Sequence, residues 1–149
     1  PEVRPIRTSV ALFEAGDRGG EWAVLTDADG YLAEAAGANI FAVIGGAVVT
    51  PDSGCLDGLT RKSVLELCGE LGVPAGCRRV HADELRDADE VFMTTTAGSV
   101  MPVRSVDGSS VAPGGGAGEL SVRLHNLYWE KRWAGWHGTP VRYDSAAAQ

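Results

Sequence analysis

Asp29-Gly30-Tyr31-Leu32-Ala33-Glu34, closely followed by Asn39-Ile40-Phe41, precedes Leu56-Asp57-Gly58-Leu59-Thr60-Arg61 and then Ala88-Asp89-Glu90-Val91-Phe92-Met93-Thr94-Thr95-Thr96-Ala97-Gly98. Each stretch sits where the local pattern changes. The run 22–26 reads as a strand ending in the turn Asp27-Ala28-Asp29-Gly30, and Gly45-Gly46 divides 40–44 from 47–50, which predicts a hairpin. From Thr60 the apolar residues Val64, Leu65, Cys68 and Leu71 recur at helical spacing, and Gly72 with Pro74 stops the pattern. A helix over 60–71 follows.

Further along, 76–81 predicts a strand, 83–87 a short polar helix, and 90–94 a strand that stops at the threonine cluster. The run 100–106 is expected to return antiparallel or at the sheet edge, with Pro102 limiting its ladder bonds. The glycines of 111–118 predict a flexible loop, and Leu120, Leu124, Leu127 and Tyr128 share one face of a helix over 119–133. Trp129, Trp133 and Trp136 suit either core packing or a partner interface, and 145–149 reads as a frayed tail. Alternating strands and helices with short turns indicate a mixed α and β fold.

At 149 residues and 44% hydrophobic, the chain fits one domain with a real core, 1–149. A net charge of −7 without basic runs argues against nucleic-acid or anionic-membrane surfaces and favours small-molecule chemistry. Cys55, Cys68 and Cys77 form no Cys-x-x-Cys pair, so neither a disulfide framework nor a zinc site is indicated. Free thiols are expected. No apolar run approaches the ~20 residues of a membrane span, and no signal-peptide pattern opens the chain, so a cytoplasmic location is expected.

Gly58 before Leu59-Thr60-Arg61 sets up a helix N-terminus whose amides and positive dipole end suit a phosphate, although the same residues describe an ordinary cap at Thr60. The Thr94-Thr95-Thr96-Ala97-Gly98 segment puts hydroxyls and amides at a strand end, where mixed sheets present ligands; β-propensity followed by a turn explains it equally. Glu34 lies among small residues that admit a flat ring, or is a solvated loop carboxylate. Against a pyridine nitrogen it would keep that nitrogen protonated and the ring a better electron sink. His81, His125 and His137 show no metal-ligand spacing, and Cys55 carries no activating motif.

The order and spacing of these segments resemble the fold-type IV pyridoxal-phosphate enzymes, the class of branched-chain and D-amino-acid transaminases and aminodeoxychorismate lyases. Residues 12–19, Thr50-Pro51-Asp52, Leu59-Thr60-Arg61-Lys62-Ser63, Thr95-Thr96-Ala97-Gly98 and Tyr128-Trp129 are especially similar to the (R)-selective amine transaminases. The resemblance implies an α+β fold of the large C-terminal, cofactor-binding kind, with a mixed sheet and flanking helices. It implies pyridoxal 5'-phosphate as cofactor, with Glu34 at the pyridinium nitrogen, Leu59 and Thr60 as the phosphate cup, and Thr96 with Thr95 as a second phosphate contact. Ala97, through its amide, matches the substrate wall; Asn39 and Arg61 match framework positions.

It further implies transamination between an amino acid or amine and a keto acid, in a homodimer. The family's Schiff-base lysine falls at Pro1 or just before it when counted back without gaps, and neither Lys62 nor Lys131 stands there. The small N-terminal domain of the family has no counterpart in this chain, so its completion by a lysine-bearing N-terminal part is expected. A diverged member that binds a phosphate ligand or serves as a partner subunit is the second reading, and amine chemistry at Pro1 the third. The segment Glu119-Leu120-Ser121 also departs from the family's Gly-Pro-x-Thr pattern.

Overall fold

The structure, a computed structural model, describes residues 4–141. Pro1 and the tail 145–149 lie outside them. The elements run α1 (Arg4–Asp17), β1 (Val24–Thr26), β2 (Leu32–Ala35), β3 (Asn39–Ile44), β4 (Ala47–Thr50), α2 (Leu59–Glu70), β5 (Ala75–Cys77), β6 (Glu90–Thr95), β7 (Ser99–Val103), β8 (Ser105–Val106), β9 (Ser109–Ser110) and α3 (Glu119–Trp133). The α+β class and mixed sheet follow the sequence.

Five strands form the main sheet in the order β5-β4-β3-β6-β7, antiparallel except for the parallel β4–β5 pair. Gly45 and Gly46 both take positive φ, which lets two residues close the predicted β3–β4 hairpin. Pro102 lies on edge strand β7, where one missing N–H costs no internal ladder bond.

The sheet separates two apolar clusters. Ile40, Ala42, Val91 and Met93 pack on one face with Leu32, Val80 and Leu85. On the other, Phe41 and Phe92, register partners whose rings stack 4.8 Å apart, meet Val64, Leu67 and Cys68 of α2 and Leu124 and Tyr128 of α3. Alternate strand residues thus serve opposite faces, as the pleat requires.

Four expectations change. The strand over 76–81 shrinks to Ala75–Cys77, because Arg78 turns away and His81 makes an isolated bridge with Tyr31 instead. The polar segment after it is one 3₁₀ turn, Ala82–Leu85, capped by His81 and Glu84. The return strand over 100–106 breaks at Arg104 into β7 and β8, and the glycine-rich loop contains a 3₁₀ turn at Pro113–Gly115. Helix α1, for which the sequence pattern offered no clean apolar face, leaves Val10 and Phe13 exposed.

Candidate functional site

The predicted site residues come to one end of the sheet. Glu34 is on β2, Leu59 and Thr60 open α2, and Thr95, Thr96 and Ala97 form the end of β6 and its turn into β7. Loop 51–58 ties them together. Glu34 Oε2 accepts the Leu56 N–H at 2.8 Å, and the Asn39 side-chain amide donates to Leu56 O at 2.7 Å, so both backbone groups of Leu56 are held. Gly54, with φ +72°, brings the loop onto β2: a Cβ there would lie 3.1 Å from that of Ala33.

Gly58 is the N-cap of α2, and no side chain caps the helix. Its lack of a Cβ is needed, since one would lie 2.3 Å from Asn39 Oδ1. The Lys62 N–H bonds back to Gly58 O as the first rung, so the amides of Leu59, Thr60 and Arg61 precede the helical ladder. Thr60 is therefore inside the helix, and the alternative that it caps the helix is overturned: its hydroxyl donates across to Thr95 O at 3.3 Å. The α2 start is thereby fastened to the β6 end.

In the turn, Thr95 Oγ1 accepts the Gly98 N–H at 2.7 Å. Thr96 and Ala97 are exposed, and the Thr96 hydroxyl has no partner among the described residues. Leu59 is 80% exposed, whereas Thr60, Asn39 and Arg61 are buried. Thr94, 2% exposed, leaves its Oγ1 unpartnered, as Arg61 leaves its Nε. Glu34 is half-buried; its Oε1 has no partner among the described residues. The constellation is thus a half-buried carboxylate, a helix start with free amides and an open hydroxyl turn, joined on one rigid loop.

Arg61 anchors that loop from beneath, donating to Pro51 O at 2.7 Å and to Asp57 Oδ1 at 3.2 Å. The Asp57 carboxyl is held below its ordinary range, chiefly by its hydrogen bond to Lys62 and also by Arg61. Burial pushes the Cys55 thiol up, against the lowering pull of Arg61. Neither lysine is unengaged: Lys62 pairs with Asp57 at 2.8 Å, and Lys131 pairs with Glu70 and lies over Trp136.

Sequence reasoning missed the Leu56 clamp and the role of Glu90. Glu90 Oε1 and Oε2 accept the Leu120 and Ser121 N–H groups, each at 2.9 Å, so a β6 carboxylate caps α3 across the fold. The only sequence signal was an acidic residue at a strand start, which describes many solvated carboxylates. Among the described residues no helix is long and apolar enough to cross a membrane, and no group of three His, Cys, Asp or Glu could hold a metal.

Residues 8–106 match the model of the family "Amino-transferase class IV". The branched-chain-amino-acid aminotransferase of Pseudomonas aeruginosa is 38% identical over 126 residues, covering 84% of this chain and 41% of that protein. Its Escherichia coli counterpart is 36% identical over 132 residues, covering 83% and 42%. Among solved structures, that of the Escherichia coli branched-chain amino acid aminotransferase superposes with a TM-score of 0.78 at 31% identity, over 95% of this chain and 46% of that one. A thermophile's branched-chain amino acid aminotransferase (T.th.) complexed with N-(5'-phosphopyridoxyl)-L-glutamate gives a TM-score of 0.83 at 36% identity, over 89% and 47%. The latter enzyme is also known with pyridoxamine 5'-phosphate. The chain spans about two-fifths of the length of the curated relatives it matches. With its own motifs converging at one sheet end and these matches across most of its length, the chain belongs to the class IV aminotransferase family.

Proposed function

We propose that this chain is the cofactor-binding part of a pyridoxal 5'-phosphate-dependent transaminase that moves an amino group between an amino acid or amine and a keto acid. The observation that carries the reading is the uncapped start of α2, fastened through Thr60 to the β6 turn and through loop 51–58 to Glu34. The donor set fits the cofactor. Free amides at a helix N-terminus and an open threonine hydroxyl suit a phosphate dianion, and a carboxylate with one free oxygen suits a protonated ring nitrogen. Pyridoxal phosphate, when bound, supplies an electron sink for the carbanion formed at the substrate carbon.

In this reading the Leu59 and Thr60 amides, with the Thr96 hydroxyl, hold the phosphate. Glu34 accepts the ring N–H on Oε1 while Oε2 keeps the Leu56 amide, which fixes the carboxylate's orientation. The Ala97 amide faces the substrate carboxylate. Asn39 and Arg61 hold the loop and touch no ligand. We also propose that a lysine-bearing segment of the small-domain kind completes the site and forms the Schiff base, and that the assembly is a homodimer. The span relative to its relatives and the engagement of Lys62 with Asp57 support this. Branched-chain amino acids, named for the relatives, are the first substrates to try.

Titration calorimetry with pyridoxamine 5'-phosphate tests the reading. Thr60→Ala and Thr96→Ala are each expected to weaken binding about tenfold, the equivalent of one charge-assisted hydrogen bond. Unchanged affinity in both variants would remove the phosphate cup.

A further inference from the structure

Two of the three cysteines surround the same buried guanidinium. Arg61 is 7% exposed, and its Nη2 donates both to Pro51 O at 2.7 Å and to Cys77 Sγ at 3.2 Å. Cys55 Sγ points at the same Pro51 O, 3.5 Å away. One Arg61 nitrogen and one carbonyl oxygen therefore bridge the two sulfurs, although the cysteines are far apart in sequence. Arg61 Nε has no partner, so the cation retains unspent donor capacity beside the thiols. The sulfurs differ in access: Cys77 is exposed on edge strand β5, and Cys55 is half-buried in loop 51–58.

We propose that Cys77 and Cys55 form a hydroperoxide-responsive thiol pair, with Cys77 the reacting sulfur and Cys55 the resolving one. An exposed sulfur that accepts a guanidinium N–H has its thiolate stabilised where a peroxide can reach it. Burial disfavours the Cys55 thiolate, which leaves Cys55 for the second step. In the first step the Cys77 thiolate attacks one peroxide oxygen: an S–O bond forms, the O–O bond breaks, and the departing hydroxide takes a proton to become water. Cys77 is oxidised to the sulfenic acid and the peroxide is reduced. In the second step Cys55 sulfur attacks Cys77 sulfur. The S–S bond forms, the S–O bond breaks, and hydroxide leaves with the Cys55 proton as a second water.

The link falls where it affects the fold's most connected loop. Cys55 precedes Leu56, whose N–H is held by Glu34 and whose carbonyl is held by Asn39. Drawing Cys55 toward β5 pulls Leu56 away from both. Cys68, 0% exposed with its thiol pushed up to about 11, stays outside this chemistry. The pair is independent of which ligand the site takes.

The test is hydrogen peroxide treatment of the full chain, followed by alkylation and non-reducing peptide mapping. The expected product is a Cys55–Cys77 linked peptide, reversed by dithiothreitol, with Cys68 alkylated only after unfolding. In Cys55→Ser, dimedone is expected to trap a sulfenic acid on Cys77; in Cys77→Ser, dimedone is expected to label nothing. A linkage through Cys68, a linkage only between two chains, or primary labelling of Cys55 would each overturn the pair. Mapping of the unsubstituted chain decides the matter even where a variant folds poorly.

Discussion

Replacing Glu90 with alanine removes the carboxylate that caps α3 from β6. Two N–H groups, of Leu120 and Ser121, then lose acceptors at 2.9 Å, and Ser121 is fully buried. Hydrogen bonds to a charged acceptor contribute about 1.5–3 kcal/mol each, and a buried orphan amide costs about 1–3 kcal/mol. Leu120 is partly reachable by water, so one full loss and one partial loss give about 3 kcal/mol, or a fall in Tm of about 10 °C for a chain of this size. Glu90→Gln keeps one acceptor but turns an NH₂ toward a donor, so about half that loss is expected.

Gly118 supplies an internal check. A Cβ at Gly118 would lie 2.1 Å from Glu90 Cδ and Oε2, so Gly118→Ala is expected to act by displacing the carboxylate. It should cost about 2 kcal/mol alone and well under 1 kcal/mol on top of Glu90→Ala, because neighbours that share one interaction do not add. Urea unfolding followed by tryptophan fluorescence and far-UV circular dichroism, with m unchanged, measures all four corners of the cycle. A Glu90→Ala loss below about 1 kcal/mol, or full additivity of the two substitutions, would refute the trans-cap account.

Gly58→Ala pushes Asn39 off the Leu56 carbonyl, so pyridoxamine 5'-phosphate affinity by calorimetry should fall about tenfold; an unchanged Kd would mean the clamp does not shape the site. Glu34→Gln in the complete, lysine-bearing protein should lower kcat by at least about tenfold with little change in cofactor retention, and an unaltered kcat would dismiss ring tuning. The Arg78 hydrogen bond holds the Glu84 carboxyl below its ordinary value. A depressed folded pKa means stability that is present above the unfolded value of 4.5 and is lost as pH falls through the folded one. Acid unfolding curves of Glu84→Gln should therefore be flatter below pH 4.5 than those of the parent, and parallel curves would contradict the assignment.

What could be read from the chain divides along the range of the contacts. Helix α3 begins at Glu119 and ends at Trp133 as its periodicity predicts, and the Gly45-Gly46 hairpin closes as its turn chemistry predicts, because both signals lie within a few residues. Strand β5 is shorter than expected because Tyr31, from a distant turn, takes His81 into its own bridge. Glu90 reads as an ordinary strand residue until α3 arrives thirty positions later to need two acceptors. Trp129 and Trp136 pack against the core, in line with the packing alternative, while Trp133 at 86% exposure leaves that helix end open.

The convergence of three separately ambiguous segments follows from strand polarity. β3 starts at Asn39 and β4, its hairpin partner, returns to finish at Thr50, so loop 51–58 and the start of α2 must lie at that same end. β6 runs antiparallel to β3 and brings Thr94 opposite Asn39, so its threonine turn ends there too. One hairpin and one antiparallel pairing therefore deliver two strand ends, a helix N-terminus and a hydroxyl turn to a common edge. The division of burial then assigns different consequences to different substitutions. Asn39, Thr60 and Arg61 are buried and hold backbone in place, whereas Leu59, Thr96 and Ala97 face outward and contribute amides or a hydroxyl. Changes at Asn39 or Arg61 should lower both stability and phosphate affinity, while Thr96→Ala should lower affinity and leave Tm within about 2 °C of the parent. A Thr96 variant that lost both together would place that side chain in the framework rather than at the ligand.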